Sequence, residues 1–476
     1  DIYSLGGAVI YTLAAEDYIL PYGSAGISYI HYNPKDENGN LLPRNAAKRY
    51  SRHEYMLNGE LGIKFMASEN IISAIDIWAS KIRTLIWSFS EEKSRDFHVL
   101  GLWVVNSHAI RKWNILDMEE FKSNLDKSLE EAEKMSWVQI WWVQLSFNSS
   151  SFDVVVGKWI IAISWDEITS ADIDRVLDMA RNWVDLPNRE ILKVVPEYFV
   201  VDYEEGVKNP IWMSARKLEV VASIFSMNKN VLWNIKKAVA DVGIEIYDIL
   251  PNLLAAPEGV LTKRQKELWV VCIDIGASTT GVTVYEEGVM KFSTLIPLGW
   301  DSVTNDIALW ARTAIDVAEK LKLNYSQIAL DEESIKDEII QLSEISHNES
   351  WEISTVYLAQ IVTARYDEIL YFVAQELKKI WRDGMLPEWA VIVWWGAKAY
   401  GLQDLAKKVL RLPVFIWIPQ EKQNLSGTTI SDPVFASVVG SLIFWNKNPF
   451  MRWFQLNLNL WGFFDSIKKI LHKLIP

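Results

Sequence analysis

The sequence predicts a duplicated α/β fold, with a largely buried sheet in each copy and a phosphate-binding turn at the end of one strand in each. Three observations carry this expectation. Strand-like apolar runs alternate with segments whose apolar residues recur at helical spacing. Two stretches about two hundred residues apart, "AIDIWASK" (74–81) and "CIDIGASTT" (272–280), are each a strand ending in Asp and then a turn of small and hydroxylated residues. Half of the 476 residues are apolar, enough to core two or three domains. The net charge of −13 argues against a polyanion such as nucleic acid as the main partner. Cys272 is the sole cysteine, which excludes a disulfide framework and a cysteine metal cluster and fits a reducing compartment. No uninterrupted apolar run is long enough to span a bilayer, and the opening "GGAVIYTLAA" lacks the basic flank of a signal peptide.

Residues 1–65 contain no Trp and include the polar, turn-rich patch "HYNPKDENGNLLPRN". They are expected to be an upstream extension, with the functional protein beginning near Met66. The strands "IISAIDI" and "IRTLIW" follow around a small-residue turn, then a helix over 118–136 and a strand over 138–147. A Thr/Ser cap opens a helix over 169–183. Strands are expected over 190–203 and 217–227, with a helix over 229–243 ending at Gly243. Residues 268–299 read as a strand, a tight turn and a hairpin. Long helices are expected over 303–323 and 356–380, then a strand–turn–helix from Val391, and 432–445 closes the globular part.

An Asp at a strand end can organise a hydrated divalent metal, and the turn after it offers N–H groups and hydroxyls to phosphate oxygens. Asp76, Ala79 and Ser80 supply these groups in the first copy; Asp274, Gly276, Ala277, Ser278, Thr279 and Thr280 supply them in the second. Asp76 and Asp274 are the metal candidates. The aligned mismatch is Trp78 against Gly276. Seven of 22 glycines fall in residues 1–77, leaving 15 for the other 399 positions, about half the usual share of roughly 7%. All 24 tryptophans lie in that later stretch. A recoding explains both: UGA codons read here as Trp would be glycine in the native protein, at Trp78, Trp300, Trp394 and Trp395 among others.

With that reading the chain resembles the FtsA family of bacterial cell-division proteins, a branch of the actin/heat-shock-chaperone/sugar-kinase superfamily. The resemblance runs from about Met66 to the C-terminus. It rests on "DIWASKI", "DIGASTTGVTVY", "IPLGWDSVTNDIA", "REILKVVPEYFVVDYEEGVKNPIWMSARKLEV", "VIVWWGAKAYGLQDLAKKVL" and "DPVFASVVGSLIF" in order and spacing. It implies a duplicated actin-like, ribonuclease H-like two-lobed ATPase fold. Lobe 1 would span 66–268, with an FtsA-specific subdomain at about 153–229, and lobe 2 would span 269–445. A linker (446–460) and an amphipathic helix (461–476) would follow. The resemblance implies Mg-ATP as ligand, with Lys81 near the terminal phosphates and Gly299 facing them. Glu319 and Lys322 would grip ribose and adenine, and Trp394, Trp395, Gly396 and Ala397 would form the adenosine turn. Arg365 would receive the acidic tail peptide of the tubulin-like FtsZ. Gly281 stands where the superfamily often has an acid, so hydrolysis is expected to be slow at most.

The tail carries its own chemistry. Phe463, Phe464, Ile467, Ile470, Leu471, Leu474 and Ile475 form one helical stripe, with Lys468, Lys469 and Lys473 off it. Such a basic amphipathic segment suits an anionic membrane surface. The expected function is an ATP-binding, self-polymerising scaffold that anchors FtsZ filaments to the cytoplasmic face of the membrane at the division site. A sugar-kinase-type phosphotransferase would need a catalytic base facing a sugar cleft, which the sequence does not offer. A pilus-assembly relative would not need the tail.

Overall fold

The computed structural model describes residues 2–12, 19–32, 53–65, 71–78, 81–89, 97–107, 109–111, 114–164, 167–182, 186–329, 335–346, 349, 351–380, 389–393, 396, 399–417 and 435–447. The chain divides into two units, 1–71 with 136–139 and 72–135 with 140–476. The first holds an antiparallel meander of β1 (Ile2–Thr12), β2 (Ile19–Tyr32) and β3 (His53–Phe65), in a region where the sequence reading named no strand.

The second unit is built on two five-stranded sheets of the same topology. One contains β4 (Ile71–Ile77), β5 (Lys81–Phe89), β6 (Phe97–Asn106), β9 (Trp142–Phe147) and β14 (Glu245–Pro251), in the order β6-β5-β4-β9-β14. The other contains β15 (Val270–Ile275), β16 (Thr280–Glu286), β17 (Val289–Ile296), β20 (Ala390–Val393) and β21 (Val414–Ile416), in the order β17-β16-β15-β20-β21. In each sheet the second and third strands pair antiparallel. The first, fourth and fifth run parallel. The Asp-bearing strands β4 and β15 are the central ones and are buried along almost their whole length, as their unbroken apolar sequences require. The short ladders β7 (Ile110–Arg111) with β8 (Asn114–Ile115), and β18 (Ile339–Gln341) with β19 (Glu352–Ser354), decorate the connections.

Helices cover the sheets: α1 (Met118–Ser136) and α3 (Lys229–Asp241) belong to the first lobe's sequence, α6 (Trp300–Trp310), α7 (Ile315–Tyr325), α8 (Leu342–Ile345), α9 (Thr355–Lys379) and α10 (Leu402–Leu410) to the second. The Ser354 side chain caps α9 by accepting from the N–H groups of Val356 and Tyr357. One stripe of α9, including Leu358, Val362, Leu370 and Val373, packs with Ile273 and Val282 of the second sheet. Between β9 and α3 lies an antiparallel four-stranded sheet of β10 (Asp153–Ala162), β11 (Arg189–Val201), β12 (Glu204–Val207) and β13 (Lys217–Asn228), ordered β10-β13-β11-β12. Its helix, α2 (Ser170–Asn182), buries Val176 against Phe199, Leu218 and Val220. The expected fold class is what the structure shows, inserted sheet included, while the C-terminal helix of that expectation lies outside the described residues.

The chain passes from the first sheet to the second through α4 (Asn252–Val260) and the short α5 (Lys263–Glu267). Helix α11 (Ala436–Lys447) crosses α4 at two glycines. A Cβ on Gly440 would lie 1.8 Å from the Ala255 carbonyl oxygen, and one on Gly259 would lie 2.3 Å from that of Ala436. Only glycine lets the backbones approach this closely.

Two sequence expectations are corrected. The helix over 303–323 is two helices, α6 and α7, broken at Arg312, which takes a left-handed φ of 53°. The Glu349 carboxylate accepts from the Thr313 hydroxyl and the Ala314 N–H, fixing the break. The strand placed over 138–147 begins at Trp142, because the Ile140 N–H is taken by the Glu133 carboxylate instead of a ladder partner.

Candidate functional site

The two Asp-bearing strands end in the same turn. The Trp78 N–H donates to the Lys81 carbonyl at 2.8 Å, and the Gly276 N–H donates to the Thr279 carbonyl at 2.9 Å. The turns face each other. A Cβ on Gly276 would stand 2.8 Å from Cζ3 of Trp78, whose indole is 2% exposed and occupies the space between them.

Asp76 and Asp274 lie beneath these turns, both buried. Asp76 is held by Arg83 Nη1 at 3.3 Å and Ser437 Oγ at 2.8 Å on one oxygen. Its other oxygen meets Asn252 Nδ2 at 3.2 Å and Ser146 Oγ at 3.4 Å. Burial raises its pKa, and the Arg83 guanidinium opposes that rise. Among the described residues, Asp274 accepts from Asn148 Nδ2, at 3.1 Å on Oδ2. Burial, then the neighbouring Asp76 charge, pushes it up to about 8. Among the described residues, the Oδ1 atoms of Asp274, Asn148 and Asn252 are buried without a hydrogen-bond partner. Three orphaned acceptor oxygens bordering two carboxylates suit a hydrated cation, which brings donors to all of them.

The second turn is braced from the lobe 2 hairpin. Thr280 Oγ1 donates to the Leu298 carbonyl at 2.8 Å, and Ser278 Oγ lies 3.4 Å from Asp301. The Trp300 and Asp301 N–H groups donate to the carbonyls of Gly276 and Ala277. Gly299 abuts the turn so closely that a Cβ would sit 2.4 Å from the Gly276 oxygen. Its backbone is extended, so space rather than φ demands glycine there. Ala277 and Thr279 are buried in the same wall.

Glu319 and Lys322 lie on α7 beside this hairpin. Lys322 is buried and reaches Thr304 Oγ1 at 2.6 Å and Glu319 at 2.7 Å, while Glu319 remains part-exposed. Burial lowers the lysine's pKa against the pull of Glu319, and burial raises that of nearby Asp301. The Lys322 ammonium sits 4.4 Å over the Trp300 ring, which stacks edge-on with Tyr366. Gly396 packs on Ile275 and receives the Tyr366 hydroxyl on its carbonyl at 2.9 Å. Lys81 opens β5 at the first turn. Arg365, on α9, is engaged by Asp306 (Nη2–Oδ1 2.8 Å) and Glu368. Ala79, Ser80, Trp394, Trp395, Ala397 and the whole tail lie outside the described residues.

Sequence reasoning missed Arg83, Asn148, Asn252, Ser146 and Ser437, the groups that hold the two carboxylates. Only Asn148 left a trace, since "SFNSS" repeats the pattern of a strand running into small polar residues.

Two sheets of one topology, each ending its central strand in a buried Asp and a tight turn, together with crossing link helices and an inserted sheet, define an actin-like ATPase fold. The family model "Cell division protein FtsA" matches residues 271–440, and "SHS2 domain inserted in FTSA" matches residues 151–226. The chain is 29% identical over 377 residues to the cell division protein FtsA of Pseudomonas aeruginosa, covering 79% of this chain and 89% of that protein. It is 29% identical over 386 residues to FtsA of Bacillus subtilis, covering 80% and 85%. A solved PilM-PilN type IV pilus biogenesis complex shares the fold, with a TM-score of 0.57 at 13% identity over 81% of this chain and all of that one. The chain thus has an actin-like fold and is similar to the cell division protein FtsA over about four-fifths of its length.

Proposed function

We propose that this protein binds Mg-ATP between its two lobes, polymerises with copies of itself, and tethers FtsZ filaments to the cytoplasmic face of the cell membrane at the division site. The observation that carries the nucleotide reading is the pair of matched turns facing each other over two buried carboxylates. Turn N–H groups and hydroxyls from both lobes, with Lys81, would take the phosphate oxygens. Lys322 and Glu319 would take the nucleoside end, with Gly396 in the adenosine turn. Asp274, with its orphaned oxygen, and Asn148 would hold a hydrated Mg2+, while Asp76 sets the local charge beside it. The ion supplies charge neutralisation at the terminal phosphates.

Gly281 sits opposite Asp274 in the β15–β16 register, so that position offers no carboxylate to activate water. This supports a nucleotide-gated scaffold with slow turnover. Arg365 is the proposed contact for the acidic FtsZ tail. Such a peptide would replace Asp306 and Glu368 as the guanidinium's partner. The segment Phe463–Pro476 is the proposed membrane tether, with Phe463, Phe464, Ile467, Ile470, Leu471 and Leu474 at the acyl boundary and Lys468 at the headgroups.

The test is a calorimetric isotherm with Mg-ATP on the chain carrying glycine at position 78. Binding on the order of micromolar or tighter is expected, and Asp274→Ala should abolish it. Unchanged binding by that variant overturns the assignment.

A further inference from the structure

Nine non-glycine residues among those described have positive φ. Asn188, Asp202, Glu287, Arg312 and Arg411 lie between 53° and 59°, inside the left-handed well that L-residues tolerate. Trp137, at 58°, joins them. Three others lie beyond the well, and all are tryptophan: Trp212 at 73°, Trp269 at 75° and Trp389 at 80°. Their neighbours in φ are glycines, Gly288 at 81° and Gly206 at 82°.

The local geometry at each asks for glycine. The Met213 N–H donates to the Pro210 carbonyl at 3.1 Å, which places Trp212 third in a tight turn with positive φ, the position type II turns reserve for glycine. Trp269 follows Leu268, whose N–H closes α5, and so takes the left-handed position just past a helix end. Trp389 leads into β20, where its carbonyl accepts from the Val271 N–H. No burial offsets the strain at Trp212, which is 77% exposed, and Trp389 is 43% exposed. At position 78 the demand is for space: φ is not positive there, yet the indole fills the gap over Gly276, its counterpart in the second turn.

We infer that the protein the cell makes carries glycine at residues 78, 212, 269 and 389, its UGA codons being read as glycine. The inference stands on backbone angle and space and does not depend on nucleotide binding. Position 78 adds a consequence for the cleft: glycine there removes the indole that separates the two turns.

Mass spectrometry of tryptic peptides from the protein purified out of its own cells tests this. The peptide 209–216 carries position 212, 267–291 carries 269, 383–398 carries 389, and the peptide that ends at Lys81 carries 78. Glycine masses at the four positions are expected, with UGA at the corresponding codons. Tryptophan masses there overturn the inference. On the recombinant chain, Trp212→Gly should raise the thermal midpoint, because the new residue accepts the turn without strain and gives up little buried surface. A fall or no change in the midpoint counts against the backbone argument.

Discussion

Replacing Trp78 by glycine separates packing from ligand binding at the cleft. The indole is 2% exposed, its ring centroid lies 5.6 Å from the Arg83 guanidinium carbon, and its edge covers Gly276. Truncating a buried Trp to Ala costs about 3–5 kcal/mol, and glycine's extra backbone freedom adds up to about 1 kcal/mol. Without ligand the variant should therefore unfold at lower urea, having lost about 3–6 kcal/mol by these scales. The vacated volume lies between Gly276 and the end of the Asp76 strand, where the phosphates of the proposed ligand would sit. At a hundredfold excess of Mg-ATP over its Kd, binding should return about 2.7 kcal/mol. The parent chain, its cleft filled by indole, should gain none. Urea unfolding followed by circular dichroism, with and without Mg-ATP, reads both terms. Occlusion of the cleft by the indole is refuted if the parent chain is stabilised as much as the variant. It is also refuted if the folded variant shows no ligand-dependent shift.

Other expectations concern charge, partner and membrane. Asp274, raised to about 8 in the folded state by burial and by Asp76, holds a proton that the unfolded chain releases near its usual value of about 3.9. Its contribution to stability is thus fully present below about pH 4 and is lost as pH rises towards about 8. Asp274→Asn should remove that slope, so its urea midpoint should gain on the parent's between pH 5 and 8.5; parallel curves would refute the shift. Arg365→Ala should weaken a labelled acidic FtsZ tail peptide by about tenfold or more in fluorescence anisotropy, the range of a lost charge-assisted pair, and undiminished binding removes Arg365 from the interface. Deleting Phe463–Pro476 should abolish sedimentation with anionic vesicles while leaving ATP binding intact, and Ile470→Glu should do the same. Vesicle binding by the truncated chain would make the tail a docked helix instead of a tether.

The elements of the cleft were legible where the signal is local. The Asp-ended strands, the turns after them and the helical periodicity of α9 are each written in a short window. The groups that hold Asp76 are not, because Asn252 and Ser437 are 176 and 361 positions away in the chain. Such long-range contacts depend on how α4 and α11 cross, and that crossing is set by Gly259 and Gly440. The break at Arg312 was hidden for a similar reason: its stabilising carboxylate, Glu349, lies 35 residues beyond Ala314. The tryptophan excess was visible in composition, but only backbone angles separate Trp212, Trp269 and Trp389 from residues such as Trp87, which is 1% exposed and packs in the first sheet's core.

In the proposed complex, one ligand is clamped by both copies of the turn. Hydrogen–deuterium exchange on the glycine-78 chain, with and without Mg-ATP, tests it most directly. Amides of residues 76–81 and 274–280 should slow together on adding the ligand. Protection of one turn alone, or of neither under saturating ligand, contradicts it.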